Sequence, residues 1–228
     1  MGKKLRSAVI IIIAVSIPVP FTMALSNHKS ESTRSNQTTI NTSDVKAATT
    51  QINIPFNKQL YPTNDYKSLW AIISNDNQVP SDYRPEDLEL LAKIDGEEIY
   101  VRSFVKERAL KMMASAAKYG LTIKAVSGLR SYTQQQTVFL TKPAGIAAKP
   151  GHSEHQLGLS LDVTTGTNEN IWLANHAHKY GFIIRYPENK QSITGFAYEP
   201  WHLRYVGVEL ATEIKNSNKT MEEYFGQR

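Results

Sequence analysis

Cysteine is absent from all 228 residues of the chain. The absence excludes disulfide bridges, a cysteine nucleophile, thiolate zinc ligands and a lipid-modified cysteine anchor. A bound metal would therefore need histidine and carboxylate ligands.

A strong excess of one charge is also lacking. The chain has 26 basic and 21 acidic residues, a net charge of +5. Lys3, Lys4 and Arg6 precede the first acid, Glu31, so the rest of the chain is balanced at 23 basic and 21 acidic residues. No basic stripe is interleaved with aromatic residues. We therefore expect no nucleic acid among the partners.

The first 27 residues have the form of an export signal. Their basic start precedes an uncharged run from Ser7 to Asn27, and Thr22-Met23-Ala24 resembles a cleavage site. The run is nearly long enough to span a bilayer, so an uncleaved membrane anchor is the alternative. Either interpretation places the rest of the chain outside the cytoplasmic membrane, secreted or anchored there by this segment alone.

Two regions follow this leader. Residues 28–51 are polar and contain almost no apolar side chains, which predicts a flexible linker. Residues 52–228 form the predicted folded domain. Hydrophobic residues make up 41% of the chain and aromatic residues 9%, as a globular core requires.

Hydrophobic periodicity predicts short helices and strands in the domain. One short predicted helix opens at 85–88, and the other predicted helices cover 101–116, 131–141, 168–180 and 209–214. The predicted strands cover 121–126, 159–164, 182–186 and 201–206. The order lacks regular β-α-β alternation. It therefore indicates an α+β domain, with a small, mainly antiparallel sheet flanked by helices.

Three residues could together hold a metal. His155 lies just before a predicted strand and Asp162 lies within it, and a turn at Gly158 could bring both side chains to one edge of the sheet. A hydrolytic zinc needs three protein ligands and one open position. His202, on a later predicted strand, offers the third ligand.

Glu199, three residues before His202, is a candidate general base for the water that such a site would use. Positions 199 and 202 of a regular strand face opposite sides. Pro200 cannot join a ladder, however, and a local break there could turn both side chains toward one site. Taken singly, each of these residues also fits an ordinary structural role.

The motifs resemble those of a known family. Two of them, Ser153-x-His155-x-x-Gly158-x-x-x-Asp162 and Glu199-Pro200-Trp201-His202, resemble the zinc D-alanyl-D-alanine carboxypeptidases of the VanY type. Residues 127–135, Ser-Gly-Leu-Arg-Ser-Tyr-x-x-Gln, resemble the substrate-binding motif of that family. The wider group includes D-Ala-D-Ala dipeptidases and L,D-carboxypeptidases, and it shares the Hedgehog/DD-peptidase fold. The similarity covers roughly residues 88–207.

The resemblance implies one zinc ion held by His155, Asp162 and His202, with Glu199 as the general base. It also places Arg130 beside the metal. There a guanidinium could stabilise the oxyanion or the bound carbonyl, or bind the terminal carboxylate of the substrate.

Three further residues are candidates for binding the polar groups of the peptide, namely Ser131, Gln135 and Ser153. Roles in turns and helix caps are the alternative for each, and Ser131-Tyr132-Thr133-Gln134 resembles a capping box that opens the predicted helix 131–141.

The leading hypothesis is an exported, monomeric zinc D,D-carboxypeptidase that hydrolyses the terminal D-Ala-D-Ala bond of peptidoglycan stem pentapeptides. An L,D-carboxypeptidase that trims tetrapeptide stems is the nearest alternative. A non-catalytic, zinc-containing wall-binding module is an alternative of another class, but such a module would not need both Glu199 and Arg130.

Overall fold

The computed structural model describes residues 57–74, 77–142, 146–164 and 166–227. All of them belong to one unit, Ile54–Arg228. The predicted leader, 1–27, and linker, 28–51, lie outside the described residues. Within the described ranges, no helix is both long and apolar enough to cross a membrane.

The first two strands, β1 (Leu88–Ile94) and β2 (Glu97–Arg102), form an antiparallel hairpin. Asp95 and Gly96 connect them with φ angles of 49° and 87°, the left-handed conformation that two-residue hairpin turns require. The prediction of a helix that opens at 85–88 is therefore wrong. The acids after Pro85 suit a first helical turn, but strand pairing with 97–102 overrides this local preference.

A four-stranded antiparallel sheet lies at the centre of the domain. Its strands are β3 (Ala125–Ser127), β4 (Ser160–Val163), β5 (Phe182–Ile184) and β6 (His202–Tyr205), arranged in the order β3-β4-β6-β5. The predicted α+β class with a small antiparallel sheet is confirmed. The predicted strands at 121–126 and 182–186 are shorter in the structure than in the prediction.

Helices cover both faces of this sheet. Those in the described part of the chain are α1 (Ser103–Ala117), α2 (Tyr132–Thr141), α3 (Thr167–His176), α4 (Gln191–Thr194), α5 (Val208–Ser217) and α6 (Met221–Phe225). Single 3₁₀ turns occur at Lys58–Leu60, Glu154–Leu157 and Ala177–Tyr180. The predicted helix 168–180 is thus an α-helix that begins one residue earlier and ends in a 3₁₀ turn.

The start of α2 agrees with its predicted capping box. The Ser131 hydroxyl accepts a hydrogen bond from the backbone N–H of Gln134, and the Gln134 side chain accepts one from the backbone N–H of Ser131. Two donors that a helix start leaves unpaired are thereby satisfied. This cap fixes the chain direction just after Arg130.

One hydrophobic cluster joins α1 to the sheet. Val105, Ala109, Met112 and Ala116 recur at helical spacing and are fully buried, as the sequence pattern predicts. A second cluster packs residues of α5 and α6 with Ile183 of β5. The two clusters thus pack helices against the sheet whose strands carry Asp162 and His202.

Candidate metal centre

The three predicted metal ligands come together at one end of the sheet. Asp162 on β4 lies directly opposite His202 on β6 in the strand register. His155 lies in the 3₁₀ turn before β4, and Gly158 ends that turn with a φ of 66°. A side chain at position 158 would also meet Arg102 Cγ and Leu88 Cδ2, both at 3.2 Å, so glycine suits this tight return into the strand.

The ligand atoms face one another at short range. His155 Nε2 lies 3.2 Å from Asp162 Oδ2, and His202 Nδ1 lies 3.0 Å from Asp162 Oδ1. One ligand atom from each residue lies within 4.8 Å of the others. We call His155, Asp162 and His202 the ligand cluster.

A backbone carbonyl fixes the orientation of the first histidine. His155 Nδ1 lies 2.6 Å from the carbonyl oxygen of Gly128, so Nδ1 carries the proton and donates it. Nε2 then faces Asp162, where a metal-binding nitrogen is needed. Position 128 also requires glycine, because a Cβ there would lie 2.3 Å from the carbonyl oxygen of Tyr100.

Charge and burial favour the states that bind a metal. Burial raises the pKa of Asp162, but the imidazoles of His155 and His202 outweigh it and hold the pKa well below its usual value. Burial lowers the pKa of His202 and so favours the neutral ring. Two imidazoles and one carboxylate, without cysteine, form a donor set that fits zinc.

Glu199 reaches the ligand cluster through a turn. The backbone N–H of His202 donates to the carbonyl oxygen of Glu199 at 3.1 Å, so residues 199–202 form a turn rather than a regular strand. Glu199 Oε2 lies 3.8 Å from His202 Nδ1. Burial, followed by the charge of Asp162, raises the pKa of Glu199 to about 7. A carboxylate with such a pKa can both accept and return a proton near neutral pH.

Arg130 also lies beside Asp162, with Nη2 3.7 Å from Asp162 Oδ2. Its Nη1 donates to Gln135 Oε1 at 2.8 Å and its Nη2 donates to Ser127 Oγ at 3.0 Å. Its backbone N–H donates to the carbonyl oxygen of His155 at 3.2 Å. Burial lowers the pKa of Arg130 from its ordinary value, but a guanidinium stays charged at any physiological pH.

The predicted substrate contacts occupy different environments. Gln135 is buried; besides holding Arg130, it donates from Nε2 to the carbonyl oxygen of Ala148 at 2.7 Å. Ser131 uses its hydroxyl in the cap of α2. Ser153 is 5% exposed and precedes the turn that carries His155.

Sequence reasoning missed the residues that orient the site. Ser127 and Gly128 belong to the 127–135 motif, but no sequence signal indicates that Ser127 holds Arg130 or that Gly128 acts through its backbone carbonyl. Tyr186, whose ring centroid lies 5.0 Å from that of His202, stands out in the sequence only as the end of a predicted strand.

Comparison with known proteins agrees with this site. The family model described as "VanY: D-alanyl-D-alanine carboxypeptidase" matches residues 98–208. The Bacillus subtilis protein YodJ is 36% identical over 226 residues, which cover 83% of this chain and 82% of YodJ.

Two solved structures share the fold. The L,D-carboxypeptidase LdcB, whose structure concerns peptidoglycan recognition, aligns with a TM-score of 0.65 and 36% identity over 71% of this chain and 87% of its own. The D,D-pentapeptidase VanY of a VanB-type vancomycin resistance cassette, solved as a glutamate-to-alanine variant with Zn(II), aligns with a TM-score of 0.62 and 32% identity over 70% of this chain and 99% of its own.

Fold, ligand cluster and relatives together define a zinc-dependent peptidase. Its cofactor is zinc, and the structure brings His155, Asp162 and His202 together as the residues that could hold it. The chain belongs to the VanY family of D-alanyl-D-alanine carboxypeptidases, which is related to the VanXY dipeptidases and the LdcB and DacB L,D-carboxypeptidases.

Proposed function

We propose that this peptidoglycan carboxypeptidase is a D,D-carboxypeptidase that removes the terminal D-alanine from stem pentapeptides. The observation that carries the proposal is the match of the D-alanyl-D-alanine carboxypeptidase model across 98–208, a range that includes the ligand cluster, Glu199 and Arg130. This chain aligns with 99% of the length of a D,D-pentapeptidase, and this likeness supports the same specificity.

Glu199 is the proposed general base. A bound zinc supplies a Lewis acid at the ligand cluster. Glu199 takes the proton from the attacking water and passes it to the leaving D-alanine amine. The distance of 3.8 Å between Glu199 Oε2 and His202 Nδ1 supports this role.

Arg130 is the proposed electrophilic partner. Gln135 and Ser127 hold its guanidinium at a fixed position beside Asp162. A fixed cation there stabilises negative charge on the carbonyl oxygen as the bond to water forms, or binds the terminal carboxylate of the substrate. Because Gln135 and Ser127 already hold the guanidinium in position, Arg130 need not rearrange during the reaction.

We also propose the setting in which the enzyme works. Residues 1–27 direct the chain out of the cytoplasm or anchor it, residues 28–51 tether it, and 52–228 act as a monomer on the cell wall. Stem peptides lie outside the membrane, so an exported enzyme would meet its substrate there.

An L,D-carboxypeptidase is the second candidate, favoured by the 36% identity and TM-score of 0.65 to LdcB. A non-catalytic wall-binding module gains no support, because Glu199 and Arg130 both face the ligand cluster.

The specificity is tested on defined stem peptides. The purified zinc-loaded chain is incubated separately with pentapeptide and tetrapeptide stems, and released D-alanine is measured with and without a chelator. We expect chelator-sensitive release from the pentapeptide, with the tetrapeptide product left intact. Preferential trimming of the tetrapeptide would reject the D,D assignment in favour of the L,D one, and a matched Glu199→Gln sample controls for contaminating peptidases.

A further inference from the structure

Four charged side chains form a buried ion-pair network beside the ligand cluster. Glu154, Arg185 and Arg204 are at most 2% exposed, and Glu222 is 7% exposed. Buried charges cost free energy unless they are paired and hydrogen-bonded. Here two cations balance two anions.

Glu154 is the centre of this network. Its Oε1 lies 2.8 Å from Arg185 Nε and 3.1 Å from Arg204 Nη1. The remaining guanidinium nitrogens of Arg185 donate to both oxygens of Glu222, at 3.1 and 2.6 Å. The planar fork of Arg185 is therefore held in one orientation by carboxylates on two sides.

The far end of Arg204 is fixed as well. Its Nη2 donates to the carbonyl oxygens of Leu69 and Ala71, both at 3.0 Å. Arg204 thereby joins Glu154 to a chain segment that lies far away in sequence.

The network touches the elements that carry two metal ligands. Glu154 immediately precedes His155 in the same 3₁₀ turn, and Arg204 lies two residues after His202 on β6. The backbone N–H of Arg185 also donates to the carbonyl oxygen of His202 at 3.1 Å. The Glu154 carboxylate thus ties the turn that carries His155 to the strands that hold His202.

We propose that Glu154 is a positioning residue for zinc, which sets the separation of His155 and His202 through Arg185 and Arg204. Glu222, on the last helix, supports it by holding Arg185. Metal binding tolerates errors of only a few tenths of an ångström in ligand position. The inference concerns zinc binding and holds whichever stem peptide the enzyme cuts.

The alternative is that the network serves only the stability of the fold. Two variants of Glu154 separate the effect of its negative charge from the effect of its side-chain length. Glu154→Asp keeps the charge but withdraws the carboxylate by one methylene, whereas Glu154→Gln keeps the reach but loses the charge. If only the nearby negative charge aided zinc binding, the aspartate variant would bind zinc normally.

Gln156 provides the matched control. It lies in the same turn, is 1% exposed, and donates from Nε2 to the carbonyl oxygen of Pro80 at 2.7 Å. The Gln156→Met variant therefore disturbs the packing of the turn while leaving the ion-pair network intact.

The experiment measures zinc dissociation constants of the full-length chain by competition with a chromophoric chelator, and urea unfolding of the metal-free protein alongside. We expect both Glu154 variants to bind zinc about 10–100-fold more weakly, the range typical of groups that orient metal ligands. Gln156→Met should lose stability but keep the zinc affinity within about twofold of the parent. The Co(II) absorption spectrum should change in the Glu154 variants alone.

Parent-like zinc affinity in folded Glu154→Asp and Glu154→Gln would overturn the proposal, as would an equal loss of affinity in Gln156→Met. If neither Glu154 variant folds, Glu222→Gln decides. A weaker affinity for zinc in that variant supports positioning, and an unchanged affinity refutes it. Since no substrate is present, failure here is independent of whether the enzyme is D,D- or L,D-specific.

Discussion

Asp162 and His202 face each other across the β4–β6 ladder, with Asp162 Oδ1 3.0 Å from His202 Nδ1. Because the strand register itself sets this pairing, the two ligands need no loop rearrangement to meet. Only His155 must be placed by a turn.

Replacing Asp162 removes the central ligand. We expect Asp162→Asn to weaken zinc binding by at least about 100-fold, beyond the usual effect of groups outside the ligand set. Zinc titration of the metal-free protein measures this. Glu97→Gln, which removes one exposed carboxylate from the β1–β2 hairpin, is the charge-matched control and should bind zinc normally.

Replacing Glu199 should separate metal binding from chemistry. Glu199→Gln keeps the side-chain shape but cannot accept a proton, so kcat should fall about 10²–10⁴-fold. Zinc content should remain at one ion per chain. Steady-state kinetics and metal analysis of the same sample check the two expectations, and undiminished turnover would contradict the role of Glu199.

The pH dependence of the reaction should reflect Glu199. Without metal, its pKa is raised to about 7, and a nearby cation lowers the pKa of a carboxylate. A base must be ionised, so kcat/KM of the zinc enzyme should fall as pH decreases through a pKa below about 7. Glu199→Gln should lose this acidic limb in its residual activity; an unchanged limb would assign it to another group.

Gln135 should act through Arg130. Gln135→Leu removes the acceptor of Arg130 Nη1, a charged hydrogen bond of about 1.5–3 kcal/mol. We expect kcat/KM to fall about 10–100-fold while zinc affinity stays constant. Gln136→Leu, on the exposed side of the same helix, is the control; equal kcat/KM values for the two variants would show that Arg130 needs no such support.

Glu154 should govern part of the acid stability. Arg185 and Arg204 outweigh burial and lower the pKa of Glu154 from 4.5 to about 2. A lowered folded-state pKa stabilises the fold above about pH 4.5, and this contribution disappears as pH falls toward 2. Its size is about 3 kcal/mol.

Urea unfolding of the metal-free protein at several pH values tests this. The free-energy difference between the parent and Glu154→Gln should shrink as pH falls from about 5 to about 2. A difference that is constant with pH would mean that Glu154 titrates normally.

Most of the fold was predictable where local signals agree. The capping box at Ser131 and the helical spacing of Val105, Ala109 and Met112 appear in the structure as the sequence indicates. The β1–β2 hairpin was missed, although Asp95-Gly96 is a strong turn signal, because the acids after Pro85 also suit a helix start.

The ligand cluster was visible in the sequence through motif and residue type, whereas its support was not. Glu154 pairs with Arg185 31 positions away, and Arg185 pairs with Glu222 37 positions away. Such pairings depend on tertiary packing and leave no periodic pattern. The role of the Gly128 carbonyl in orienting His155 is equally undetectable from the sequence, since every residue has a backbone carbonyl.

The central claim is that the ligand cluster binds one zinc ion that the reaction requires. Its most direct test is zinc titration of the metal-free chain while D-alanine release from a stem pentapeptide is followed. Activity should rise linearly and level off at one zinc per chain, and Asp162→Asn should show no such rise at the same zinc concentrations. Full D-alanine release by protein that analysis shows to be free of metal would contradict the claim.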